Sequence, residues 1–133
     1  MFKANFLDVN PLRKCTIYNA TTNVILFPNA MIADNDNLRQ LGFQYFEEME
    51  DEDSILFLFE DEKVRSMHMR NVKFPLLMTW MDSNHVVCGM SIAEANSPLL
   101  YSSTYPAQFC LESHPDLIYK IRIGDVLKFL KTE

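Results

Sequence analysis

Apolar residues along this chain gather in short blocks divided by turn residues, a spacing that favours strands over helices. Ser54–Phe59 is apolar throughout and predicts a central strand. Val64–Arg70 alternates, with Arg65, Met67 and Met69 on one side and Ser66, His68 and Arg70 on the other. Phe74–Asp82 is apolar on both faces, and with the Asp82-Ser83-Asn84 turn and His85–Ile92 it reads as a hairpin. Further strands are expected at Cys15–Tyr18, Val24–Phe27, Ala30–Ala33, Ala107–Glu112 and Asp125–Leu130. Pro28, between two of them, points to an edge position or a bulge.

Two segments carry helical signals. Over Asn37–Phe46, Leu38, Leu41 and Tyr45 share a face, Asp34 or Asp36 is the expected cap, and Gly42 marks close packing or an early end. Asp116–Ile121 is expected as a second short helix. Glu47–Asp53 is an acidic run suited to a solvated loop, and Ala93–Pro106 reads as a long polar connection. The class predicted is α+β: a single β-rich domain with a curled or barrel-like, mainly antiparallel sheet and two short helices. Residues 1–23 read as an irregular N-terminal segment and 24–133 as the domain.

The 133 residues suffice for one buried core, and 48% apolar against 23% charged residues is a globular composition. The net charge of −6 is uneven: residues 1–62 hold four Lys/Arg against twelve Asp/Glu, and residues 63–133 eight against six. Basic residues this sparse argue against nucleic acid as a partner. The asymmetry is compatible with contact between copies of the chain. No segment reaches the roughly 18 apolar residues of a membrane span, and the first residues lack the apolar core of a secretion signal. A full-length, cytoplasmic protein, or part of a particle assembled there, is the expectation.

Chemistry-bearing motifs are few. Cys15, Cys88 and Cys110 lie far apart without a C-x-x-C pair, so reduced structural thiols and no metal or cofactor are expected. Cys110 and His114 are separated by a strand running into His114-Pro115, which disfavours a nucleophile–base pair. His85 and Cys88 fall on opposite strand faces, which disfavours a metal site. The eight methionines read as core filler. The best candidate ligand-binding site is His68, Arg70 and Asn71, an imidazole, a cation and an amide suited to an anion. The competing structural reading pairs Arg70 with a nearby carboxylate and gives Asn71 to the turn before Phe74-Pro75.

Several motifs in order carry a resemblance: Arg39-Gln40-Leu41-Gly42-Phe43, Ile55–Phe59, Met69-Arg70-Asn71 with Pro75-Leu76, Tyr105–Glu112 and Ile123-Gly124-Asp125-Val126. Together they resemble the domain of unknown function 192 family of small β-rich prokaryotic domains, over about residues 29–129. The family pattern F-W-M-K-N-T-x-x-P-L-D is altered here. His68 stands for its Trp, Val72 for its Thr and Leu77 for its Asp, which points away from a shared catalytic role.

Two functions are therefore expected in turn. The first is a non-catalytic binding or assembly module, such as an accessory or virion-type subunit. It would meet a protein partner, or itself, through Glu47–Asp53, Ser97–Pro106 and the N-terminal segment. The alternative is a small-molecule binder or minor enzyme holding an anionic ligand near Arg70.

Overall fold

A computed structural model describes residues 13–131. Nine strands form it: β1 (Lys14–Asn19), β2 (Val24–Ala33), β3 (Ser54–Lys63), β4 (Ser66–His68), β5 (Leu76–Met81), β6 (Val87–Ala93), β7 (Leu100–Ser102), β8 (Ala107–Ser113) and β9 (Leu127–Lys131). A six-residue helix, α1 (Asp36–Leu41), follows β2, and a 3-10 helix spans Pro115–Lys120. Seven strands make one sheet in the order β6-β5-β8-β3-β2-β1-β9, and β4 pairs with β7 apart from it. All pairings are antiparallel except β2 with β3.

The mainly antiparallel β-rich sheet with two short helices is as expected, but the barrel is not. The sheet keeps two edges, β6 and β9, which meet only at one end. There Val86 bridges Val126, and the Val87 N–H donates to the Asp125 carbonyl at 2.8 Å. No continuous ladder joins the edges, so the sheet is not closed.

Alternation along the central strands sends side chains into two cores. On one face Phe57, Met78, Trp80 and Cys110 pack with Leu38, Phe43, Phe46, Met69 and Val72. On the other, Ile17, Leu56, Leu77, Met81, Leu111 and Leu127 pack with Leu117 and Ile121. Strand β5 is buried at all six positions because it serves both cores, as its two-sided apolar pattern predicts. Strand β3 lies between β8 and β2, the central place its composition implied.

Several boundaries differ from expectation. The two segments around Pro28 are one ten-residue strand; the β1–β2 register is irregular there and β2 pairs with β3 only at Met31–Ala33, so the proline sits at a bulge without a β3 neighbour, as its position implied. The alternating run Val64–Arg70 forms only the three-residue β4, because β3 extends to Lys63. The polar connection Ala93–Pro106 contains β7, whose three backbone pairings with β4 need no apolar pattern. Asp53, at the end of the acidic loop, is buried and accepts the Glu50 N–H. The expected contact role of residues 1–13 falls almost wholly outside the described residues.

Candidate functional site

Two short elements build the site, and their sequences explain its shape. The cap of α1 is Asn35 rather than either aspartate: its Oδ1 accepts the Leu38 N–H at 2.9 Å. The helix stops at Gly42, whose φ of 47° favours glycine and whose N–H bonds the Leu38 carbonyl at 3.0 Å. Leu38 is buried on one side, so Asn37 and Gln40 are turned to solvent on the other.

Opposite α1, the chain leaves β4 through a turn closed by the Val72 N–H on the Met69 carbonyl, 3.1 Å. Met69 and Val72 are buried, which pins both ends of the turn and displays Arg70 and Asn71 between them. Asn71 sits at φ 62°, a left-handed conformation that asparagine adopts more readily than most residues. The turn role expected of Asn71 is therefore present. The local carboxylate expected for Arg70 is not: among the described residues no ion pair involves its guanidinium. Lys73, three residues on, is the one that takes a carboxylate, Glu47, at 2.8 Å.

His68, Arg70 and Asn71 line one open cleft of about 550 Å³ with Asn37, Gln40, Leu41, Gln44 and Tyr45. That volume is in the range of small-molecule sites. The Arg70 N–H donates to His68 Nδ1 at 3.1 Å, which makes Nδ1 the acceptor and leaves the neutral ring's proton on Nε2. Partial burial, then the charge of Arg70, lower the imidazole pKa below its usual value, so the ring is neutral at pH 7. Across the cleft, Gln44 Oε1 accepts from Asn71 Nδ2 at 3.5 Å, and Gln44 Nε2 donates to the Gln40 carbonyl. The groups left for a ligand are the Arg70 guanidinium, the His68 Nε2–H and the Asn37 and Gln40 amides.

Behind this cleft, sharing Gln40, Leu41, Gln44 and His68 as walls, lies a smaller chamber of about 80 Å³. Phe57, Met67, Val72 and Gly42 also line it, and so does Glu112. Glu112 is 4% exposed, and its carboxyl makes no hydrogen bond or ion pair with any described residue. Burial alone pushes its pKa up to about 8. Sequence reasoning passed over Glu112. The signal was its place two residues after Cys110, which puts it on the same face of β8 as that core residue, the one acidic residue there.

The other candidate pairs have structural roles. His114 caps the 3-10 helix, its Nδ1 accepting the Asp116 N–H at 3.1 Å, while Cys110 is fully buried with its thiol pKa pushed well up by desolvation. His85 Nδ1 lies 2.9 Å from the Leu127 carbonyl, and its ring packs against Phe109 and Phe129. Among the described residues no group of three His, Cys, Asp or Glu could hold a metal ion, and no helix is long and apolar enough to cross a membrane. A second open cleft, about 560 Å³, runs between Thr21, Val24 and Tyr119–Arg122. Its carboxylate, Asp125, is already spent on Asn19 and on the Arg122 N–H.

Comparison with known proteins adds a family. The model of the domain of unknown function 192, described as an uncharacterised group, matches residues 17–129. The chain belongs to the domain of unknown function 192 family. The match reaches into β1, further than the resemblance read from motifs. Two crystal structures share the fold of this family member. One, from Sinorhizobium meliloti, is provisionally described as a transcription regulator: TM-score 0.77, 21% identity, 88% of this chain and 92% of that one covered. The other, a protein of unknown function from Novosphingobium aromaticivorans, has a TM-score of 0.75 at 19% identity, with 86% and 83% covered. No curated protein matched. Of the three departures from the family pattern, His68 and Val72 line the chamber. Leu77 is buried in the opposite core, so its change does not touch the cleft.

Proposed function

We propose that this domain binds a small anionic molecule in the cleft between α1 and the His68–Asn71 turn, without catalysing a reaction on it. The observation that carries this reading is the Arg70 guanidinium, which makes no ion pair with any described residue, on a cleft of ligand size. A guanidinium offers a planar fork of donors that matches a carboxylate or phosphate. His68 adds a neutral N–H donor, and Asn37 and Gln40 add amides from the facing helix. The ion pairs that would quench such a site are made elsewhere, by Arg39 with Asp36 and by Arg65 with Asp61.

The test is thermal unfolding with acetate, propionate, succinate and phosphate at constant ionic strength. At least one should raise the midpoint of the natural protein, and Arg70→Ala should remove the effect while remaining folded. No response to any of them, or an equal response in R70A, overturns the reading.

A second reading, contact with another protein as an accessory or particle subunit, draws on Leu99, Leu100 and Tyr105. These are 62%, 70% and 60% exposed, the two leucines at the start of β7 and the tyrosine three residues past its end. Sedimentation of the natural protein against Leu100→Lys decides it: a change in assembled size supports a contact there, and an unchanged monomer removes it.

A further inference from the structure

Glu112 is the one carboxylate lining the small chamber, and none of the polar side chains that border it, Arg39, Gln40, Gln44, Ser66 and His68, bonds to it. Every other buried carboxylate among the described residues has partners: Asp53 accepts the Glu50 N–H, and Asp125 accepts Asn19 Nδ2 at 2.8 Å and the Arg122 N–H at 2.9 Å. Glu112 has none, yet it stands at the end of open space rather than sealed in packed side chains. A buried polar group without a partner is costly, so its complement is a group that brings donors.

We propose that this chamber is the inner subsite of the cleft and takes a protonated primary amine, its N–H donors filling the Glu112 carboxylate. Size and chemistry narrow the choice. At roughly 30 Å³ per water, the chamber has space for two or three waters, or for a CH2–NH3+ end, but for no ring. A divalent metal is disfavoured, since calcium and magnesium ask for about six or more oxygens and one carboxylate is present. The apolar walls, Phe57, Met67, Val72 and Leu41, suit the carbon next to the nitrogen and strengthen the charge attraction by excluding water.

The charged neighbours do not oppose it. From α1, Arg39 borders the chamber, but its guanidinium is held by the Leu58 carbonyl at 2.6 Å and by Asp36 at 2.9 Å. From β4, His68 is neutral. The register neighbours of Glu112 on β3 and β5 are Ile55 and Met78, without charge, and Cys110 on its own strand keeps its proton. Below pH 8 the Glu112 carboxyl is protonated. An arriving ammonium therefore displaces that proton to solvent: the O–H bond breaks, the carboxylate forms, and the ammonium keeps its own three protons. Resting on the anion reading of the outer cleft, the full ligand class is a small zwitterion, anionic at Arg70 and ammonium at Glu112.

The probes are methylammonium, tetramethylammonium and propionate, titrated calorimetrically at pH 7 in two buffers of different ionisation enthalpy. Methylammonium should bind the natural protein with release of close to one proton, tetramethylammonium should not bind, and Glu112→Gln should weaken methylammonium by about a hundredfold or more, the scale of removing one partner from a buried charge pair. R70A should leave methylammonium unchanged. Absent binding, binding without proton release, or equal binding of tetramethylammonium makes the chamber a water site and overturns the proposal. The proton count on the natural protein decides even if E112Q folds poorly. Propionate reports the outer cleft separately: its loss in R70A but not in E112Q keeps the anion reading, whatever methylammonium does.

Discussion

Glu112 makes the stability of this domain depend on pH in a direction opposite to that of most carboxylates. Its pKa is about 8 in the folded protein against 4.5 when solvated. Below pH 4.5 both states carry the proton and the group contributes no pH dependence. Between 4.5 and 8 the unfolded chain has released the proton while the folded one retains it, so unfolding gains as pH rises. Each unit costs about 1.4 kcal/mol, and the full interval roughly 5 kcal/mol, after which the loss levels off. That is a large share of the 5–15 kcal/mol typical of a domain. Glu112→Gln removes the titrating group at nearly constant shape. Urea unfolding can be followed by the single tryptophan, Trp80, which is 1% exposed. The stability of E112Q minus that of the natural protein should climb from pH 4.5 to 8 with that slope, then plateau. All other titrating groups are shared and cancel in the difference. A difference that stays flat over this range refutes the assignment of a buried, neutral carboxyl.

Three further substitutions probe the scaffold and the cleft. Asn35→Ala removes the cap of α1 and should cost about 1 kcal/mol in urea unfolding, whereas the same change at Asp34, if it were the cap, would cost that instead. Asn71→Gly keeps the left-handed turn but deletes the amide, so stability should hold while the cleft loses its link to Gln44. A destabilisation of more than about 1 kcal/mol would mean the amide supports the fold. Thr79 buries a hydroxyl that finds no partner among the described residues, so Thr79→Val should stabilise by about 1 kcal/mol in the same assay; destabilisation would reveal a partner for that oxygen.

The parts of this fold that were legible in sequence are those where burial imposes a period. Strand β5 had to be buried on both faces because Leu76, Leu77, Met78, Trp80 and Met81 leave no polar side, and it is. What escaped was decided by backbone pairing and by closure. Strand β7 is three residues long, paired with β4, and only its middle residue, Tyr101, reaches a core, so no period marks it. The open edges of the sheet depend on where β6 and β9 stop, which no hydrophobic pattern records. At the site, the His68–Asn71 group was visible as chemistry, and the structure adds α1 as its opposite wall. Glu112 was hidden because an acid at a strand end normally reads as solvated. In the fold it is 4% exposed and lines a chamber that residues of α1 also line, which no pattern along β8 records.

The central claim is that an anion sits between α1 and the His68–Asn71 turn. Amide chemical-shift mapping of the labelled protein during a propionate titration tests it most directly. The account predicts saturable shifts on both walls, at residues 37–45 and 68–72, that vanish in R70A. Shifts confined to the cleft at Thr21 and Tyr119–Arg122, or scattered shifts that never saturate, would contradict it.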